Sequence, residues 1–137
     1  MADMFDAMTI SAHGMRAQGE RTRIISENIA NANTGAINPE AEPYARKVIT
    51  FKNEMDRQAG HRVVRVEDIT DDRREDFPLK YMPDHPGANE EGYVRMPNVN
   101  MLIEMNDMRE AQRSYEANLG MIEQSRSMML RTIDMLR

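Results

Sequence analysis

The feature that most restricts this chain is an apolar stripe along its last third. Met101, Met108, Tyr115, Ile122, Met129 and Leu136 recur every seven residues, with Met105, Leu119 and Ile133 interleaved. That period belongs to a helix that keeps one face against a long neighbour. From an N-cap at Asn100, or alternatively Asn98, there is no proline before Arg137 and only Gly120 interrupts. Arg126, Arg131 and Arg137 stand toward the negative end of the helix dipole. At about 1.5 Å of rise per residue the helix reaches roughly 55 Å, too long for its stripe to be covered by a compact core built from 137 residues.

The other end of the chain supplies a match. Met8, Met15, Thr22 and Ile29 repeat at the same interval, and Phe5, Ala12 and Ile25 fill the same face. This helix is expected to begin near Ala2 or Asp3 and to end near Asn31, where Asn33-Thr34-Gly35 favours leaving a helix and Pro39 and Pro43 forbid continuing it. Gly14 and Gly19 weaken it, each by roughly 1 kcal/mol relative to alanine, so packing must order it. The two stripes are either the inside of an ordinary antiparallel hairpin or a surface for other subunits. A core-poor composition favours the second: 40% hydrophobic residues but only 5% aromatics and no Trp. The 14 Met residues either suit irregular or changing neighbours or reflect a genomic bias in Met usage.

Between the helices the period changes to two. Ile49 and Phe51 alternate, as do Val64 and Val66, and Phe77, Leu79 and Tyr81, which is strand-like. Asn53-Glu54-Met55-Asp56 and Asp71-Asp72-Arg73-Arg74-Glu75-Asp76 read as loops, and Pro83-Asp84-His85-Pro86-Gly87 as a turn cluster. The expected fold is mainly α. N- and C-terminal helices (residues 1–35 and 98–137) pair as a coiled-coil-like domain around a small, irregular β-rich insertion (36–97).

Chemistry is sparse. His13, His61 and His85 lack the spacing that puts two imidazoles on one helical face. The acidic pairs Asp71-Asp72, Glu75-Asp76 and Glu90-Glu91 lack the alternating ligands of a calcium loop and read as solvated charge. There is no phosphate-binding glycine loop, no nucleophile elbow and no cysteine. We expect no catalytic, cofactor or metal site. A net charge of −5 with interspersed signs argues against a nucleic-acid partner. No apolar run approaches the roughly 20 residues that span a bilayer, so membrane insertion is not expected, and Met1–Asp6 does not read as part of a cleaved secretory signal.

One segment carries a sharper signal. Ser26-Glu27-Asn28-Ile29-Ala30-Asn31-Ala32-Asn33-Thr34 resembles the signature of the axial proteins of the bacterial flagellum, the rod, hook and hook-associated proteins. Physically, Asn28, Asn31 and Asn33 suit the exit from a helix, tying amides to backbone groups. Further blocks resemble the basal-body rod members: Tyr44-Ala45-Arg46-Lys47-Val48, His85-Pro86, Glu91-Gly92-Tyr93-Val94-Arg95-Met96-Pro97-Asn98-Val99-Asn100, Ser114-Tyr115-Glu116-Ala117-Asn118 and Ser127-Met128-Met129-Leu130-Arg131-Thr132. The likeness is loose over the first 35 residues and close from Tyr81 to Leu136. The sequence departs from the pattern where Gly35–Pro43 is inserted before Tyr44, and Asn53–Asp76 matches least.

The resemblance implies a structural subunit of the proximal rod, the drive shaft that transmits torque and encloses the export channel in the periplasmic space. Its terminal helices would form the inner, tube-lining domain. Its partners would be its own copies, other rod proteins, and components of the basal-body ring and the export apparatus. Delivery would use the flagellar type III apparatus, which reads no cleaved signal. The expected assembly interface is Met8, Met15, Ile25 and Ile29 on the first helix and Met108, Tyr115, Leu119, Ile122, Met129 and Ile133 on the last. The helical stripes alone also permit a free-standing coiled-coil adaptor or an export-associated chaperone. Neither that nor a small enzyme accounts for the Asn28–Thr34 and Gly92–Asn100 blocks together.

Overall fold

The computed structural model describes residues 2–74 and 76–137. Met1 and Glu75, the latter half of an acidic pair read above as loop charge, lie outside the described residues. Helix α1 spans Ala2–Ala30 and helix α2 spans Met101–Met135, with strands β1 (Lys47–Asp56), β2 (His61–Asp71), β3 (Leu79–Tyr81) and β4 (Tyr93–Arg95) between them. The strands form two separate two-stranded sheets, β1–β2 and β3–β4.

Local chemistry sets the helix ends. Asn100 caps α2: its Oδ1 accepts the Leu102 N–H at 3.0 Å and the Ile103 N–H at 3.4 Å. At the end of α1, the Asn31 N–H and side-chain amide both donate to the Glu27 carbonyl, at 3.1 and 2.9 Å. The Thr34 hydroxyl donates to Asn31 Oδ1 at 3.4 Å, so both ends of the Asn31 amide are used locally where the helix gives way to the turn.

The β region differs from expectation in extent. Asn53-Glu54-Met55-Asp56 is the end of β1 and not a loop. A two-stranded ribbon leaves such side chains in water, where charge is tolerated, and Glu54 lies 4.0 Å from Lys52 and 3.7 Å from Arg65. The hairpin turns where Asp56 Oδ1 accepts the N–H groups of Gln58 and Ala59, and Gly60 takes the left-handed conformation at φ 74°. Phe77 falls outside β3. That short strand pairs antiparallel with β4 in the register Leu79 with Arg95, Lys80 with Val94 and Tyr81 with Tyr93.

The chain divides into two compact units. One comprises the chain up to Thr22, Thr50–Asp68 and Arg109–Arg137; the other comprises Arg23–Ile49 and Ile69–Met108. In the first unit Ser11, Ala17, Val63, Ala111 and Ser125 are buried. The helices run antiparallel there, since Arg21 meets Glu110 at 3.4 Å and a Cβ on Gly14 would lie 2.8 Å from Asn118 Nδ2. Small buried residues allow this close approach. In the second unit Ile24, Ile25, Ala32, Ala36 and Val94 form the apolar core. The segment after α1 lies against β4, with the Ala36 N–H bonded to the Arg95 carbonyl at 3.1 Å. A Cβ on Gly87 would fall 1.9 Å from the Ala36 carbonyl oxygen.

These glycines predict opposite outcomes. A Cβ on Gly19 meets nothing within 4 Å, so Gly19→Ala should raise unfolding stability by about 0.5–1 kcal/mol. Gly87→Ala forces a backbone shift and should lower it by more than about 2 kcal/mol. Urea unfolding followed by circular dichroism measures both.

Candidate functional site

The second unit holds a buried polar cluster centred on Asn28, which is 1% exposed. Its Oδ1 accepts the Lys47 N–H at 2.9 Å and the Tyr44 hydroxyl at 2.8 Å. Its Nδ2 donates to the Lys47 carbonyl at 2.9 Å and to Glu104 Oε2 at 3.2 Å. All four hydrogen-bonding positions of the amide are used. Because one residue of β1 presents both an N–H and a carbonyl to it, the amide can face only one way. Asn28 thus joins α1 to the first residue of β1 as a neighbouring strand would.

Asn98 bridges the two chain segments at the open end of the strand pair. Its Oδ1 accepts the Arg46 N–H at 2.8 Å and its Nδ2 donates to the Asp72 carbonyl at 2.7 Å, while the Asp72 N–H bonds to the Arg46 carbonyl at 2.7 Å. The Arg46 side chain extends from this point to three carboxylates. It meets Glu104 at 2.5 Å, Asp72 at 3.6 Å and Asp107 at 3.7 Å. Glu104 is 1% exposed, a location a carboxylate tolerates only when paired and hydrogen-bonded. Lys47 Nζ pairs with Glu27.

Arg46, Asp72 and Tyr44 titrate away from their ordinary values. Burial lowers the Arg46 pKa, but the hydrogen bond to Glu104 and the charges of Glu104, Asp107 and Asp72 outweigh it and hold the guanidinium above its usual value. Asp72 is held below the usual carboxylate range, chiefly by the Arg74 side chain and N–H and also by Arg46. Burial, with Glu27, Asp71 and Glu104 nearby, pushes Tyr44 up to about 12.

Along α2 most residues turned from solvent step by three or four: Glu104, Met108, Ala111, Ser114, Asn118, Ile122, Ser125, Met129 and Thr132, with Asp107 and Ser127 half-buried beside them. Of the expected interface residues, Ile25 is buried, and Met8, Met15, Ile29, Met108, Ile122 and Met129 are half-buried. Tyr115, Leu119 and Ile133 are 40, 39 and 44% exposed. The seam inside the chain is therefore lined on one side by small and polar residues, and the interleaved positions Met105, Leu119 and Ile133 stay exposed. Met121 and Met128 leave a second exposed apolar row on the other flank.

The remaining signature residues occupy varied places. Asn33 offers its carbonyl to the Gly35 N–H at 3.1 Å, and Ala30 ends α1. Gly92 sits at φ 84°, where a Cβ would lie 2.9 Å from the Tyr81 ring. Tyr81 and Tyr93 meet edge to face at 5.4 Å. Val94, Pro97 and Asn98 are buried and Val99 half-buried. Ser114 gives its carbonyl to Asn118 Nδ2 at 2.9 Å, and Ala117 is exposed. His85 Nδ1 accepts the Gly87 N–H at 2.9 Å, His61 contacts Asp6 at 3.7 Å, and His13 lines a shallow groove with Arg16 and Glu20. Among the described residues no three His, Asp or Glu side chains are grouped to hold a metal, and no helix is long and apolar enough to cross a membrane.

Comparison with known proteins gives these residues a context. The family described as "Flagellar basal body rod FlgEFG protein C-terminal" matches residues 90–135. The flagellar basal-body rod protein FlgC of Agrobacterium fabrum is 49% identical over 131 residues, covering 96% of this chain and 94% of that protein. The FlgC proteins of Aquifex aeolicus and Bacillus subtilis are 37 and 34% identical, each over 95% or more of both chains. The chain belongs to the FlgC family of flagellar basal-body rod proteins. It is a structural subunit of the basal-body rod.

For this FlgC-family chain, sequence reasoning located Asn28 and Asn98 but not the charges they organise. Arg46, Asp72, Glu104 and Asp107 went unmarked as site residues. A signal was present: Glu104 begins a seven-residue series of small or polar residues, Ala111, Asn118, Ser125 and Thr132, beside the apolar stripe. Tyr44 provides the pH test. Its folded pKa lies above the unfolded value of 10.0, so its contribution is complete below pH 10 and is lost as pH rises toward about 12. Tyr44→Phe should cost about 1 kcal/mol at neutral pH and flatten that alkaline decline. Urea unfolding across the alkaline range checks both.

Proposed function

We infer that this subunit is built into the proximal rod by its terminal segments, residues 1–35 and 98–137, which pack as coiled coils against the same segments of neighbouring copies and of other rod proteins. The observation that carries this reading is the exposed apolar surface of α2. Met105, Leu119 and Ile133 on one flank and Met121 and Met128 on the other are left open by the chain's own contacts. Two such rows let one helix touch a neighbour on each side while its third face stays within the subunit. The inner ring of helices then encloses the export channel, and residues 36–97 face outward.

The role is mechanical and needs no catalytic centre, cofactor or metal. Torque passes through side-chain packing, to which each buried apolar residue contributes roughly 1.5–3 kcal/mol. Delivery through the type III apparatus to the periplasmic space, followed by docking near the ring, suits two helices that become rigid only when neighbours cover them. Nucleic acid and the bilayer play no part.

Leu119→Asp tests the reading. The side chain is exposed, so the substitution should change the stability of the isolated chain by no more than about 0.5 kcal/mol, yet cells carrying it should build no complete rod and fail to swim. Normal motility would remove Leu119 from the interface. A side-chain-resolving cryo-electron microscopy map of basal bodies should find both helices lining the channel. In the free chain, hydrogen exchange should be fast at both termini; uniform protection there would exclude folding coupled to assembly.

A further inference from the structure

A seven-residue repeat carries an ambiguity that apolar packing does not resolve. If α2 slid along α1 by one heptad, Ala111 would give way to Asn118, Asn118 to Ser125 and Ile122 to Met129. Small or polar residues replace one another and methionine, which adapts its shape, replaces isoleucine, so the seam of the first unit tolerates the exchange. The slide moves every side chain of α2 by about 10 Å.

The polar cluster does not share this degeneracy. After such a slide Asn28 and Arg46 would face Ala111 and Ser114 in place of Glu104 and Asp107. The buried amide and the guanidinium would each lose acceptors, a loss that desolvation makes large. The opposite slide would require helix through Pro97, which has no N–H to donate. Only one register satisfies every group. We propose that Glu104, gripped by Arg46 just ahead of β1 and by Asn28 from α1, is the register key of the α1–α2 pair, a positioning residue that selects one heptad among several the seam would accept.

The energetics of buried ion pairs favour this role over a simple contribution to stability. A paired buried carboxylate recovers little more than its own desolvation, whereas a misplaced one is strongly penalised. Glu104 thus discriminates between registers more than it stabilises the right one. The inference does not depend on how the subunit assembles. For a rod subunit its consequence is that Leu119 and Ile133 stand at one height only.

Cross-linking reads the register directly, because the chain has no cysteine of its own. Arg21 lies 3.4 Å from Glu110, and a one-heptad slide would bring Ala117 there instead. The full-length chain is prepared as R21C/E110C and as R21C/A117C and treated with a bismaleimide whose reach is below about 10 Å, the length of one heptad. The native background should join 21 to 110 alone. Adding R46M/E104L should cut that product by about half and let 21–117 appear at comparable yield, as two near-equal registers require. Moving the key, with E104A/A111E, should make 21–117 the main product. If either variant loses its helical circular dichroism signal, E104Q, which keeps the size and the Asn28 acceptor, should still raise 21–117 above the native background. A native chain that forms both products or neither overturns the proposal. So does a helical variant that joins 21 to 110 alone.

Discussion

Burying one carboxylate organises much of this molecule. Glu104 lies in the first turn of α2, where the helix dipole favours negative charge, but it is withdrawn from water and must be answered by the protein. Arg46 supplies the opposite charge and Asn28 a donor. Each partner is in turn held by the backbone of a different element. Asn28 is bound to both polar groups of Lys47, and Asn98 to Arg46 and Asp72. One buried charge thereby ties α1, the open end of the β1–β2 hairpin, the segment before α2 and α2 itself. Removing Arg46 would leave an unanswered buried charge and cost about 3–5 kcal/mol.

The rest of the core is thin, which gives that cluster its weight. The largest fully buried side chains among the described residues are Glu104, Val63, Val94 and Asn28, two of them polar. Large aliphatic and methionine side chains lie instead on the outer faces of α2. A protein that used them internally would gain stability alone and have less to offer a neighbour. The FlgC family is one of rod subunits, and this distribution suits a chain whose apolar surface is completed by assembly.

Much of the architecture was legible in the sequence. The seven-residue apolar repeats marked both helices, Asn100 marked the start of α2, and the Asn28–Thr34 and Gly92–Asn100 blocks pointed to the family. Period and capping are local properties, so they survive in a linear reading. The β region was harder, because Asn53–Asp56 is as polar as a loop and becomes strand only through its hairpin partner. Asn28 looked like a helix-end residue, whereas its amide is spent on Lys47, Tyr44 and Glu104, which lie 16 to 76 residues away.

The sequence by itself determined that two long amphipathic helices end this chain, that a short β segment separates them, and which family it joins. Each of those follows from residue types at fixed spacing. Tertiary structure alone decided which side of the apolar stripe is used internally. Beside the row of Met108, Tyr115, Ile122 and Met129 the helix could have turned Leu119 and Ile133, on one flank, or Ala111, Asn118, Ser125 and Thr132, on the other, toward its own chain. The smaller set lies inward because the helices approach closely at Gly14 and Asn118, and because Glu104, on that same row, must reach Asn28 and Arg46. Close approach and charge compensation are relations between distant residues, and they exist only once the chain has folded.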